Sequence, residues 1–72
     1  MMTFSERLLL LRREHKMTQA QLACVIGIHE SGLRKYELGS MQPTLPVIIA
    51  LADYFQVSLD YLCGLSDARE RR

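Results

Sequence analysis

Seventy-two residues, 49% of them hydrophobic with 4 Gly and 2 Pro, fit one small domain and exclude a disordered or multi-domain chain. The longest apolar runs, Leu8 to Leu11 and Val47 to Ala52, are too short to span a bilayer, and Glu6 and Arg7 break the basic-then-apolar order of a secretory signal, so a soluble, cytoplasmic protein is expected. The formal net charge of +1 hides an asymmetry: residues 1–35 hold six bases against three acids, whereas residues 36–68 hold four acids and no Lys or Arg. A basic half joined to an acidic half hints at an anionic partner facing the first half.

Helix punctuation recurs along the chain, and no segment alternates long enough to make a strand. Thr3 with Glu6 has the spacing of a capping box and opens a helix through about His15, with Phe4, Leu8 and Leu11 facing inward. His15 suits the end of that helix, where a cationic side chain meets the negative pole of the dipole. Thr18 with Gln21 opens a second helix that buries Leu22, Ala23 and Ile26, and Gly27 supplies a turn. A third helix follows from His29 or Glu30 to Leu38, with Leu33 and Tyr36 inward and Gly39 just past its end. Thr44 is placed as the cap of a fourth helix, with Pro46 in its first turn and Leu45, Ile48, Leu51, Ala52 and Phe55 inward. Ser58 caps a short fifth helix burying Leu59 and Leu62, ended by Gly64. Tyr36, Tyr54 and Tyr61 suit half-buried positions. The expectation is an all-α bundle of five short helices over residues 1–65, with residues 66–72 a polar, frayed tail.

Catalysis is not indicated. There is no Ser/His/Asp or Cys/His arrangement with a plausible pocket, no glycine-rich phosphate loop and no metal-ligand spacing, so neither cofactor, metal nor small-molecule ligand is expected. Cys24 and Cys63 have no second cysteine or histidine at ligand spacing and read as two reduced thiols.

Two helices joined at Gly27 outline a helix-turn-helix. The run MTQAQLACVIGIHESGLRKYELG, Met17 to Gly39, resembles that segment in Cro/repressor-type (XRE-like) DNA-binding domains, and phage lambda-type repressors in particular. The likeness extends from Arg7-Leu8 and Leu11-Arg12 through the closing VSLDYLCG. Several independent features coincide in it: Thr18-Gln19 at a helix start, Leu22-Ala23, Gly27, Leu33, Glu37 with Gly39, Pro43 and Leu51-Ala52. The resemblance implies that Gln19 contacts the DNA backbone and that Arg12 and Glu37 form a structural ion pair beneath the recognition helix. Thr18 and Gln19 also stand at a helix N-terminus, where backbone N–H groups and the dipole favour a phosphate.

With Leu33 and Tyr36 inward, the helical wheel turns Ser31, Arg34, Lys35 and Leu38 outward; the resemblance implies that His29 and Glu30, at the leading end, point into the major groove. Lambda-type repressors carry Gln-Ser-Gly where this chain has Glu30-Ser31-Gly32, so Ser31 and Gly32 match in kind. Ser31 suits a base edge, and Gly32, costly inside a helix, suits a close approach to a base. Arg34 and Lys35 can reach guanine O6/N7 or phosphate, with Lys35 nearer the outward direction. Glu30 departs from the family by bringing negative charge towards the phosphates, where it can accept from cytosine N4. His29 stands where Ser or Thr is the usual cap, and the loop Ser40-Met41-Gln42 lacks the family's lysine or arginine. Fewer phosphate contacts imply a shallow salt slope and weak binding by one copy.

The expected function is a transcriptional regulator, a repressor before an activator, bound as a homodimer to palindromic double-stranded operator DNA. The alternative is an interaction module of the same fold, antitoxin-like or adaptor, with weak DNA binding. Leu9, Leu10, Cys24 and Val25 lie away from the predicted core stripes and form its candidate surface. A third possibility is that ARERR, the last five residues, begins a linker in a longer regulator.

Overall fold

A computed structural model describes residues 2–71. Among them are five helices and no strand: α1 (Phe4–Glu14), α2 (Gln19–Ile26), α3 (Glu30–Leu38), α4 (Leu45–Phe55) and α5 (Leu59–Leu62). Helix α1 packs on α3 and α5, α2 on α3 and α4, and α4 on α5. Six leucines, Leu8, Leu11, Leu22, Leu33, Leu51 and Leu62, are fully buried between them. Each such side chain contributes about 1.5–3 kcal/mol when removed from water.

The helix starts follow local chemistry. Thr3 Oγ1 accepts from the Glu6 N–H at 3.3 Å while Glu6 Oε1 accepts from the Thr3 N–H at 2.9 Å. Thr18 and Gln21 repeat the exchange at 3.0 and 2.9 Å, and Ser58 Oγ accepts from the Tyr61 N–H at 3.0 Å. Thr44 is the N-cap of α4, yet its hydroxyl takes no backbone N–H. Pro46 in the second helical position has removed one of the two donors within a cap hydroxyl's reach.

Helix ends are less legible. Gly27 turns the chain at φ 83°, with the Ile28 N–H bonded to the Ala23 carbonyl at 3.0 Å and its own to that of Cys24 at 3.2 Å. Lys16 and Gln56 adopt the same left-handed conformation after α1 and α4, at φ 54° and 56°. Neither residue type signals that conformation, and Gln56 is helped by its amide, which donates to the Asp53 carbonyl at 2.6 Å. His15 closes α1 as expected: its Nδ1 lies 2.9 Å from the Leu11 carbonyl, which can only accept, so Nδ1–H is the donor.

Several inward assignments are corrected. Leu45 and Leu59, expected in the core, are 63% and 44% exposed. Each is the first residue of its helix, where an apolar stripe runs past the edge of the core. Val57 and Tyr61 are buried instead, and Tyr54 is exposed. Leu9 and Leu10, expected to face away from the core, are half-buried. Helix α1 is covered on two sides, by α3 and by α5, so its buried sector is wider than one stripe.

Of the tail expected over residues 66–72, Arg72 lies outside the described residues, and residues 66–71 make contacts back to the helices. Arg7, only 2% exposed, donates from Nη2 to Asp67 Oδ1 at 2.6 Å and from Nη1 to the Ser66 carbonyl at 3.3 Å. Its guanidinium lies 4.0 Å from the centre of the Tyr61 ring, and Arg69 lies 5.0 Å from the same ring. The segment is also pinned by the Ser58 N–H to the Arg69 carbonyl at 2.9 Å and the Ser58 hydroxyl to the Ala68 carbonyl at 3.2 Å. Arg69 then grips Glu14 with two 2.8 Å bonds, which hold the Glu14 carboxyl below its usual range. That contribution is present above the ordinary glutamate range and is lost as the pH falls through the depressed value. Tail residues with no apolar pattern thus contact the helices through ion pairs and carbonyl groups.

Candidate nucleic-acid interface

The site is built on a charged scaffold beneath α3. Arg12 donates from Nε to Glu37 Oε2 at 2.6 Å, from Nη2 to Glu37 Oε1 at 3.1 Å and from Nη1 to the Met17 carbonyl at 2.8 Å. With Glu37 largely buried, this bidentate pair ties the end of α1, the start of α2 and the last turn of α3 together. The Arg12–Glu37 pair implied by the resemblance is therefore present. Gln19 joins it by donating from Nε2 to Glu37 Oε1 at 3.0 Å. Its amide is thus oriented from within, with one N–H already committed.

Helix α3 is held by buried Leu33 and Tyr36, and presents Ser31, Arg34, Lys35 and Leu38 to solvent. His29 and Glu30 are exposed at its leading end. His29 is the N-cap but makes no side-chain cap bond, so the first turn of α3 is less satisfied than those of α1 and α2. Thr18 is exposed at the start of α2; its hydroxyl oxygen accepts from Gln21 and keeps its own proton to donate. The candidate residues Thr18, Gln19, His29, Glu30, Ser31, Gly32, Arg34 and Lys35 thus lie on the α2 start and along α3, two helices that pack on each other.

One interaction on α3 was not read from the sequence, although its spacing of four residues is a helical one. Arg34 Nη2 lies 3.6 Å from Glu30 Oε2, on the exposed face. Lys35 makes no ion pair among the described residues.

Gly32 sits in the interior of α3 with open space around it. A methyl group added there would meet only the Met41 side chain, at an ordinary contact of 4.0 Å. Gly32→Ala is therefore expected to raise stability by about 0.5–1 kcal/mol through helix propensity, measured by urea unfolding. An unchanged or lower midpoint would show that the position is already strained. Of the four residues assigned to a second surface, Cys24 and Val25 are exposed, whereas Leu9 and Leu10 are half-buried.

Comparison with known proteins agrees with this geometry. The helix-turn-helix family model matches residues 8–62. Over 64 residues the chain is 44% identical to YobD, an HTH-type transcriptional regulator of Bacillus subtilis, spanning 89% of this chain and 57% of YobD. Over 63 residues it is 41% identical to RstR, the cryptic phage CTXphi transcriptional repressor of Vibrio cholerae, spanning 88% of this chain and 56% of RstR. The P22 c2 repressor, solved in complex with a synthetic operator, is similar in structure with a TM-score of 0.84 at 26% identity, covering 92% of this chain and 100% of that one. The chain spans about half the length of the curated relatives it matches. With the family model matching residues 8–62 and a relative 44% identical over 89% of this chain, the chain belongs to the helix-turn-helix family.

Proposed function

We propose that this chain is the operator-binding domain of a transcriptional regulator, acting as a repressor, and that α3 reads bases in the major groove. The observation that carries the reading is the outward row Ser31, Arg34 and Lys35 on a helix fixed from below by the Arg12–Glu37 pair. The P22 c2 repressor, solved on an operator with the same architecture, supports it. In this arrangement Thr18 and Gln19 at the start of α2 meet phosphate, while His29, Glu30, Ser31 and Gly32 approach base edges. Lys35, with no carboxylate partner among the described residues, is the preferred base contact. Two copies on a palindromic site would place half-site centres roughly 34 Å apart, one helical turn on one face of the duplex. Such a role places the protein with the chromosome in the cytoplasm.

Selection from random double-stranded DNA at low salt, with sizing of the protein at the same concentration, tests the proposal. A palindrome with one-turn spacing recovered from a dimer supports it; no enrichment by folded protein overturns it. Lys35→Ala is expected to weaken binding to the recovered site by about 1–3 kcal/mol and to leave random DNA nearly unaffected. An equal loss on both would make Lys35 a phosphate contact.

An interaction module with weak DNA affinity is the second reading. What favours it is the exposure of Val25, at 51%, and of Leu38 and Leu45, and the absence of any base from the loop Ser40 to Gln42.

A further inference from the structure

Helix α3 carries four charged side chains, and only part of that charge is available to DNA. Glu37 is neutralised from below by Arg12, which leaves Glu30, Arg34 and Lys35 on the exposed face. Glu30 and Arg34 are one helical turn apart, with 3.6 Å between Oε2 and Nη2, and both remain about half exposed. An exposed pair of this kind is weak and exchanges readily with other partners. While it is closed, one of the two outward cations of α3 is cancelled. The neighbouring chain does not replace it, since residues 36–68 contain no Lys or Arg.

We infer that Glu30 is a specificity-determining residue that restrains Arg34: the pair stays closed on unrelated DNA and opens where Glu30 finds a cytosine amine. This rests on the reading of α3 as the recognition helix. A carboxylate can only accept hydrogen bonds, and in the major groove it matches cytosine N4. Adenine N6 is also a donor there, but its adjacent N7 is an acceptor and repels the second carboxylate oxygen. Against phosphates Glu30 has nothing to accept, so on random sequence it keeps its ion pair with Arg34, and Arg34 makes no phosphate contact. Where a cytosine lies under Glu30, the carboxylate turns to the base and Arg34 is free for the adjacent guanine or phosphate. The pair thereby withholds a phosphate contact that every sequence would otherwise receive.

The test measures binding of the whole chain to a short random-sequence duplex across a salt series, for the native protein, Glu30→Gln, Arg34→Gln and the double variant. Glu30→Gln is expected to bind random duplex about fivefold tighter at low salt, with log K falling more steeply against log salt by about 0.9 as Arg34 gains a phosphate. In the Arg34→Gln background the same change should leave the slope as it was. Site selection should recover a cytosine with the native protein that Glu30→Gln no longer requires. An unchanged slope in Glu30→Gln overturns the inference, as does an equal affinity gain with and without Arg34, which would reduce Glu30 to a repulsive charge. A native-protein site lacking the cytosine also overturns it. Those results leave DNA recognition by α3 standing, whereas failure of the folded native protein to bind any duplex at low salt removes both.

Discussion

Ending the chain at Leu65 is expected to lower the free energy of unfolding by about 3 kcal/mol, although the residues removed are polar and contain no apolar stripe. The cost arises at Arg7. Its guanidinium is buried, with Asp67 and the Ser66 carbonyl as its hydrogen-bond acceptors and the Tyr61 ring against its face. Nε already has no acceptor, so every remaining partner matters. Losing the partner of a buried charge costs about 3–5 kcal/mol, and the lower end applies here because Asp67 is 90% exposed and water enters once the tail is gone. The Arg69–Glu14 pair, partly exposed at both ends, adds at most about 1 kcal/mol. Urea unfolding of the two chain lengths measures the difference, and a loss below about 0.5 kcal/mol, the scatter of ordinary surface changes, would refute it. Arg7→Leu separates the cause: in the shortened chain it should recover much of the loss, because an apolar side chain needs no partner there.

Gly64→Ala should cost about as much, roughly 3 kcal/mol, and Gly27→Ala only about 1–2 kcal/mol, although the two glycines have nearly the same backbone conformation. Their φ angles are +81° and +83°, so the penalty of a left-handed side chain, about 1–2 kcal/mol, applies to both. The surroundings differ. Nothing lies within 4 Å of a methyl group built on Gly27. One built on Gly64 overlaps the Met2 carbonyl oxygen, a backbone atom that cannot rotate away as a side chain would. The difference between the two substitutions in urea or thermal unfolding isolates this contact between the start of the chain and the end of α5. Equal losses would mean that the N-terminal residues move aside freely.

The parts of the fold that could be read from the sequence are those set by neighbours in the chain. The capping boxes of Thr3 with Glu6 and Thr18 with Gln21, and the Ser58 cap, all act over three residues and all form. The outward face of α3 follows from the helical period once Leu33 and Tyr36 are inside. The Arg12–Glu37 pair spans 25 residues and was reached only through resemblance to a family; no spacing rule supplies it. Gln19's commitment to Glu37 was not foreseen, because the amide looked like a phosphate ligand until its neighbour across the helix pair was known. Glu30 and Arg34 carried a local signal, the four-residue spacing, that was overshadowed by the possible DNA contacts of each.

By itself, then, the sequence determined five helices, their starts, most of the core and the row of side chains on α3. These depend on hydrogen bonds and periodicities within a turn or two, where little chain entropy opposes the contact. Tertiary structure decided which faces were covered and which charges were spent. Packing of α1 against both α3 and α5 half-buried Leu9 and Leu10, and the ends of α4 and α5 left Leu45 and Leu59 outside. Arg7 was buried against Asp67, 60 residues distant in sequence. Such contacts are set by where whole helices come to rest, since a charged side chain is buried only where the assembled fold provides the partners that its desolvation requires.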